Sequence, residues 1–292
     1  GKSSSAEAVY ILEKYLERDK GEELVRAVAL TALGLRAFPR SRLLIEQHVF
    51  HEDPMVSQAA VEALGELGDI RSIPTLVAAT RYSKKNVNDA SKRAAIVAIA
   101  TIGSALAETA LMGIIKRRDQ FFQSHRTLAM KKLISSPFFI DIGFLIKVTK
   151  NIHNDAIVGQ LALDALAGFA YEGSEAAICY LRFVADPNNK LFNESFKLSA
   201  MAALIKAKDL KAVPLLESTL LSQGTKRLYE QALEGLERIG TKKSLALLQE
   251  IRKRATTDTA GPVLDLPLLD ADPLILEDID TAMHTLAKRL AN

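Results

Sequence analysis

Residues that could carry out catalysis or bind a metal are few in this chain and stand far apart. No two of its histidines have the His-x-x-x-His spacing that places two metal ligands on one helical face. His51 and Glu52 form one adjacent pair, and the chain has no second pair of this kind. The GKS at the N-terminus resembles the end of a phosphate-binding loop, but the upstream glycine and the preceding strand are absent. The sequence therefore predicts no catalytic residue, no metal site and no cofactor.

The number of cysteines and the hydropathy of the chain limit which kinds of protein it can be. Cys179 is the only cysteine, so no disulfide can form within the chain. It falls in the stretch AAICYL of a predicted helix, where we expect a buried structural thiol rather than a nucleophile. No apolar run approaches the ~18 residues needed to span a bilayer. The expected compartment is the cytoplasm.

Basic residues are distributed unevenly and suggest a binding surface. Residues 101–150 carry a net charge of +5, residues 201–255 also +5, and residues 256–292 carry −5. Many basic residues gather at the ends of predicted second helices: Arg81, Lys84 and Lys85; Lys116, Arg117 and Arg118; Lys147 and Lys150; Arg252, Lys253 and Arg254. One cation at a helix C-terminus is explained by the helix dipole, which is worth ~0.3–1 kcal/mol, but three in succession are not. The alternative is a docking surface for an acidic partner.

The elements that would position these residues follow a repeat, which is clearest between Asp53 and Val77. The apolar residues of its first part form one helical stripe: Val56, Ala59, Ala60, Ala63, Leu64 and Leu67. Gly65 and Gly68 then supply a stop, and Asp69 supplies a new start. Pro74 stands in the first turn of a second, shorter helix, where a missing N–H costs little. The stretch therefore predicts a helical hairpin.

This hairpin recurs along the chain in a fixed register. With Leu64 as the marker, equivalent residues return every 31 to 38 positions: Leu33, Leu64, Ile99, Leu133, Leu166, Leu204 and Leu236. An alanine stands four positions before every marker, and a small residue at one helical position lets the next helix approach closely. A single irregular bundle would lack such a period, so the sequence predicts a stacked array of about seven hairpins.

The unit resembles the short HEAT repeat common in prokaryotic proteins. Asp53-Pro54, Ala63-Leu64-Gly65, Gly68-Asp69 and Ile73-Pro74 match that pattern, and Val213-Pro214 after Asp209 matches its second helix again. The chain has no tryptophan for a tetratricopeptide signature and no Thr-Pro-Leu-His for ankyrin. The resemblance covers about residues 21–255. It implies an all-α, right-handed α-solenoid whose second helices line a concave face, with the basic clusters along one edge of that face.

Four segments are predicted from this register. Residues 1–20 form an N-terminal capping helix with Ser5 as its cap, and residues 21–255 form the array. Residues 256–273 form an acidic linker containing proline, and residues 274–292 form a C-terminal helix. The segment from Val263 to Leu269 combines leucines with aspartates. It can fold back on a basic groove as a fixed cap, or act there as a displaceable mimic of the natural ligand.

The fourth unit, residues 119–150, departs most from the repeat. His125 stands in the place of Val56, Lys132 replaces the alanine equivalent to Ala63, and five of the eleven phenylalanines fall here. Such breaks mark candidate functional positions, and a bend filled by larger side chains is the structural alternative. The predicted binding residues are Lys116, Arg117, Arg118, Phe121, Phe122, Arg126, Lys147 and Lys150.

The sequence thus predicts a non-catalytic scaffold or adaptor that binds an extended acidic or amphipathic segment of another protein. Two alternatives stay open. One is an enzyme accessory or a lyase, because HEAT arrays include proteins that attach bilin chromophores. Deoxyhypusine hydroxylases are HEAT arrays too, but they need several His–Glu pairs and this chain has one. The other is nucleic-acid binding through Lys116–Arg118 and Lys147–Lys150.

Overall fold

The structure is a computed structural model that describes residues 2–18, 21–81, 87–137, 139–151, 155–222, 224–256 and 274–291. Within these ranges the fold is all-α, without a β-strand, and the helices pack as the adjacent pairs of a HEAT-like helical solenoid. The chain divides into two compact units, residues 1–140 and 141–292. This division falls inside the predicted fourth hairpin, so the two helices of that hairpin belong to different units.

The first unit contains eight α-helices in its described part. They are α1 (Lys2–Leu16), α2 (Glu23–Leu35), α3 (Arg42–Gln47), α4 (Pro54–Leu67), α5 (Ile73–Thr80), α6 (Asp89–Ile102), α7 (Ala105–Lys116) and α8 (Gln123–Ile134). The first helices of successive hairpins, α2, α4, α6 and α8, pack side by side, and α3, α5 and α7 form the second layer. The predicted cap at Ser5 is wrong, because α1 already begins at Lys2 and Ser5 lies inside it.

The second unit, taken by itself, also consists of adjacent helix pairs. Its helices are α9 (Ile142–Lys150), α10 (Ala156–Tyr171), α11 (Glu175–Ala185), α12 (Glu194–Lys206), α13 (Val213–Leu220), α14 (Lys226–Ile239), α15 (Lys242–Thr256) and α16 (Leu274–Ala291). The last helix, α16, packs on α14 and α15 and buries Ile275, Ile279 and Leu286 completely. The Arg252 guanidinium donates to both carboxylate oxygens of Asp280, at 2.8 and 3.0 Å, and so ties α15 to α16.

The helix boundaries follow from capping residues that the sequence displays. The Asp53 side chain accepts hydrogen bonds from the backbone N–H groups of Met55 and Val56 and starts α4. Gly68 ends α4 in the left-handed conformation, with φ of 70°, as predicted. The prediction that Gly65 helps to end the helix is wrong. Gly65 lies inside α4, where it packs against the neighbouring helix.

The Gly-Asp of the repeat has a second role at the start of the second helix. Asp69 accepts from Arg71 N and Asp209 accepts from Lys211 N, and each bond opens a short 3₁₀ turn before α5 or α13. The same carboxylates face an arginine of the preceding hairpin. Arg182 Nη2 donates to Asp209 Oδ1 at 2.8 Å, and Arg42 Nε lies 3.7 Å from Asp69 Oδ2. The aspartate therefore joins neighbouring hairpins.

The predicted repeat register is the register of the core. All seven marker residues, from Leu33 to Leu236, have no exposed surface, and the alanines four positions before them are at most 2% exposed. Neighbouring first helices meet through small residues one position to either side of the marker. A Cβ built on Gly34 would lie 2.5 Å from Ala63 Cα, and one on Gly65 would lie 2.9 Å from Ala98 Cα. In the second unit, a Cβ on Gly235 would meet the Ile205 side chain at 2.8 Å.

We expect Gly34→Ala to lower the free energy of unfolding by about 1–3 kcal/mol, because the atoms in its way are backbone and Cβ atoms of Ala63, so α2 and α4 must separate. Urea-induced unfolding followed by circular dichroism measures the change. Gly113→Ala in α7 is the matched control, since nothing lies within 4 Å of its added Cβ. That variant should gain about 0.5–1 kcal/mol from the better helix propensity of alanine. A Gly34→Ala protein as stable as the control would contradict the packing described here.

Candidate functional site

The eight predicted binding residues fall in both units. Lys116, Arg117, Arg118, Phe121, Phe122 and Arg126 belong to the first unit, at the end of α7 and the start of α8, and Lys147 and Lys150 belong to the second, on α9. Lys116, Arg117, Lys147 and Lys150 are exposed, and Arg118 is half-buried. Each group is a surface of its own unit.

In the first unit Phe122 is 52% exposed, and it is the exposed phenylalanine of the part of this unit that the structure describes. Its ring stands edge-on to the ring of His125, with centroids 5.6 Å apart. The Lys92 ammonium lies 5.7 Å from the Phe122 ring centroid, within cation–π range. Lys116 ends α7 and Arg117 follows it on the connection that leads to Phe122, and both are exposed.

Two of the predicted binding residues lie inside the protein. Phe121 is 3% exposed and Arg126 is 6% exposed, so neither presents a side chain to a partner, and we leave both out of the site proposed below. The connection between α7 and α8 has no hydrophobic periodicity. The sequence alone therefore did not show that Phe121 is buried and Phe122 is exposed.

Arg126 occupies a register position that holds a buried cation in several hairpins. Seven residues before the marker stand Arg26, Lys92, Arg126 and Lys197, each at most 9% exposed. Arg26 donates to the carbonyls of Leu16 and Arg18 behind α1, and Lys197 Nζ donates to Pro187 O at 2.7 Å behind α11. Arg26 and Lys197 thus bind carbonyls at or just beyond the C-terminal end of the preceding helix, where a positive charge is favourable. The recurrence was visible in the sequence and would have marked Arg126 as structural.

His125 is the second departure of the fourth repeat, and it is fully buried. Its Nε2 lies 2.9 Å from Asp89 Oδ1, so the ring joins α8 to α6. Burial lowers the pKa of His125 below its ordinary value; Asp89 opposes this shift, and Lys92 and Arg93 add to it. His48 is also buried, and desolvation lowers its pKa as well.

The other replacement in the fourth repeat, Lys132, opens a cavity in the first unit. The pair that would continue the contacts of Gly34 with Ala63 and of Gly65 with Ala98 is Ala100 with Lys132. Both residues line a cavity of about 390 Å³, together with Glu108 and Ser136. The Ser136 hydroxyl donates to Glu108 Oε1 at 2.7 Å. The lysine at the alanine position thus lines a cavity to which α6, α7 and α8 contribute.

The second unit also has an exposed aromatic surface, which the sequence did not predict. Four rings form a cluster: Tyr180, Phe183, Phe192 and Phe196. Tyr180 is buried and its hydroxyl lies 2.8 Å from Thr149 Oγ1, whereas Phe183 is 44% exposed. The Lys150 ammonium lies 6.0 Å from the Tyr180 ring centroid, so Lys150 and Phe183 contact the same ring.

The connection from α11 to α12 is held against this cluster by a side-chain bridge. Asn189 Nδ2 donates to Phe183 O at 2.8 Å, and Leu191 N donates to Asn189 Oδ1 at 3.0 Å. Lys190 and Leu191 are exposed beside the buried Phe192. We name Lys147, Lys150, Phe183, Lys190 and Leu191 the aromatic–lysine patch. Phe183 lies outside the buried stripe of α11, a periodicity signal that would have indicated its exposure.

The prediction for Cys179 is wrong, because the thiol is exposed. The buried stripe of α11 runs through Ala177, Tyr180, Leu181 and Val184, and Cys179 stands on the other side of the helix. Other predicted features lie outside the described residues: Lys84, Lys85 and the segment from Val263 to Leu269.

No constellation for metal binding appears in the described ranges: no three His, Cys, Asp or Glu side chains are grouped to hold an ion. His51, of the single His–Glu pair, lies 3.7 Å from the carboxylate of Glu23 and stacks on His48 with centroids 6.1 Å apart. None of the described helices combines the length and hydropathy required to cross a membrane.

We expect stability to fall as the pH drops below about 6.5, the pKa of a histidine in an unfolded chain. The buried His125 takes up its proton only at lower pH, so its contribution is fully present above 6.5 and is lost toward its lowered pKa. His125→Gln should show a smaller loss of melting temperature between neutral and mildly acidic pH than the unchanged protein. His284→Gln, at an exposed position of α16, is the control. Equal slopes in all three proteins would contradict this assignment.

Comparison with known proteins is consistent with the repeat. Residues 9–91, which run from α1 to the first turn of α6, match the family model described as HEAT repeats. Comparison with curated proteins gives no match. Among solved structures, human deoxyhypusine hydroxylase in complex with glycerol aligns over 99% of this chain and 99% of its own, with 17% identity and a TM-score of 0.39. A likeness this weak carries no argument. The match over residues 9–91 supports a HEAT-repeat family for this part of the chain.

Proposed function

We propose that the protein is a non-catalytic scaffold that binds an acidic, amphipathic segment of another protein. One observation carries the proposal: each unit exposes a phenylalanine beside basic residues. Among the described residues, Phe122 of the first unit and Phe183 of the second are the two exposed phenylalanines, at 52% and 44%. A scaffold suits the family, in which stacked hairpins present long surfaces. We further propose a cytoplasmic location, which the single cysteine supports.

The chemistry of these surfaces favours a partner with both apolar and acidic side chains. An apolar side chain of the partner can pack on the exposed ring, and aromatic anchors of this kind supply much of the energy of an interface. Its carboxylates can pair with Lys147, Lys150 and Lys190, which fix the orientation and speed the encounter. These exposed ion pairs add modest affinity. The ring is therefore the anchor, and the lysines favour a partner that carries acidic side chains.

The aromatic–lysine patch is the more preorganised of the two surfaces. The rings around Phe183 fix its position, and the bridge through Asn189 fixes the backbone of Leu191. A surface that is already ordered loses less conformational entropy on binding, so more of the contact energy remains as affinity. We therefore place the main binding site at this patch and a second contact at Lys116, Arg117, Arg118 and Phe122.

We expect the double variant Phe183→Ser/Lys150→Glu to lose its partner. Removing the anchor ring and reversing one charge should each cost about 1 kcal/mol or more, which together weaken capture at least about tenfold. The measurement is quantitative mass spectrometry of proteins captured from nuclease-treated cell extract by the full chain and by the variant. Leu221→Ser/Lys242→Glu is the matched control, because it removes an exposed apolar side chain and reverses one lysine elsewhere in the same unit.

Two outcomes would contradict the proposal. One is capture of the same proteins in equal amounts by the wild type, the patch variant and the control. The other is tight binding of a single-stranded DNA probe that is lost in the patch variant and falls steeply with salt, which would indicate a nucleic-acid surface. Turnover of a substrate by the purified chain would favour the enzyme alternative.

A further inference from the structure

Helix α1 packs on α2 through few apolar side chains. Among the residues of α1 whose side chains the structure describes, Val9 and Leu16 are buried and the others are half-buried or exposed. Helix α16, by comparison, buries Ile275, Ile279 and Leu286 completely. A helix with so little buried apolar surface opens at a low cost in free energy, so its polar contacts decide how firmly it is held.

The guanidinium of Arg26, in α2, holds the C-terminal end of α1. Its Nη1 donates to Leu16 O at 3.3 Å, and its Nη2 donates to Arg18 O at 3.1 Å. The last carbonyls of a helix have no partner within the helix, so these bonds supply what the end of α1 lacks. The Ser41 hydroxyl adds a bond to Glu13 Oε1 at 2.6 Å. Arg26 therefore closes the end of α1 and ties it to α2.

The buried ring of His48 lies against the same guanidinium. Its Nδ1 is 3.0 Å from Leu44 O, and because a carbonyl only accepts hydrogen bonds, Nδ1 carries the proton of the neutral ring. Nε2 therefore has a free lone pair and accepts from Arg26 Nη1 at 3.4 Å. Arg26 Nη1 thus joins the neutral ring of His48 to the last carbonyl of α1.

A second proton on His48 would break this arrangement. The protonated Nε2 would be a donor facing the Nη1 donor of Arg26, and both groups would carry a positive charge in a buried place. Arg26 must then turn away from the ring. Its bonds to Leu16 O and Arg18 O are lost with that movement.

The other ionisable groups that face His48 do not remove this conflict. Burial lowers the pKa of His48, and the bond to Leu44 O opposes that shift. The charges of Arg26 and His51 lower the pKa further, and the charge of Glu23 raises it. The Glu23 carboxylate is shared, because its Oε2 lies 3.5 Å from Arg26 Nε and 3.7 Å from His51 Nε2. It therefore does not neutralise a protonated His48 by itself.

We infer that His48 makes the docking of α1 sensitive to pH: the neutral ring keeps α1 on α2, and protonation of the ring releases it. The buried cation Lys197 stands at the same register position and has a different neighbour. It binds Pro187 O and faces Asp186, whose charge favours the ammonium. Release of α1 uncovers the side of α2 on which it packs. All of these groups of α1 and α2 belong to the first unit, so the inference does not rest on the aromatic–lysine patch.

Hydrogen exchange of the full chain, followed by mass spectrometry at about pH 7.5 and about pH 5, tests the inference. With labelling times scaled for the intrinsic rates, the protection of the α1 amides should fall on acidification by more than that of the α4 amides. An undocked His48 has an ordinary pKa of about 6.5, so the fall at about pH 5 is severalfold and cannot exceed about thirtyfold. His48→Gln should remove the fall, since its amide stays neutral and its oxygen accepts from Arg26. His284→Gln, at an exposed position of α16, is the control and should behave as the wild type.

Arg26→Gln tests the link between the histidine and the helix. This variant should show low protection of α1 at both pH values, because the bonds to Leu16 O and Arg18 O are already absent. Equal protection of α1 at both pH values in the wild type would overturn the inference. So would a fall that His48→Gln leaves unchanged, or an Arg26→Gln chain that protects α1 as the wild type does.

Discussion

The close approach of neighbouring first helices is the constraint on which the rest of this structure depends. At Gly34 and Gly65 the backbone of one hairpin lies against Ala63 and Ala98 of the next, at distances that leave no room for a Cβ. A hairpin of this size cannot bury its apolar face alone, so its stability comes from its neighbours. The alanine four positions before each marker and the small residues next to the marker make that contact possible. They explain why the same register returns along the chain.

Close stacking restricts the residue type at positions that face a neighbouring helix and leaves the outward positions unrestricted. The basic residues therefore fall into two classes. Arg26, Lys92, Arg126 and Lys197 are buried at one register position, and Arg26 and Lys197 bind carbonyls at or just beyond helix ends. Lys116, Arg117, Lys147 and Lys150 are exposed, and the Lys150 ammonium lies 6.0 Å from the Tyr180 ring centroid. Function can develop on the outward positions because they take no part in stacking. Where lysine replaces alanine at this contact, at Lys132, the residue lines a cavity.

The sequence predicted the markers from periodicity and the new start at Asp69 from residue type, because each is a local consequence of residue type and spacing. It did not predict which of Phe121 and Phe122 faces solvent, since the connection between two helices has no period. The burial predicted for Cys179 was wrong, and the exposure of Phe183 was not predicted. Both residues lie off the buried stripe of α11. The division at residue 140 was invisible as well, because a repeat reports the likeness of hairpins and not the contacts between them. The right-handed sense of the array, its concave basic edge and the segment boundaries at residues 20, 255 and 273 stay predictions.

Hydrogen exchange followed by mass spectrometry in Gly65→Ala tests the central claim most directly. An added Cβ would lie 2.9 Å from both Ala98 Cα and Ala98 Cβ, so α4 and α6 must move apart. If close stacking of first helices holds the array together, the amides of α4 and α6 should exchange faster while those of α12 and α14 keep their rates. Unchanged exchange in α4 and α6, or an equal increase in every helix, would contradict the account.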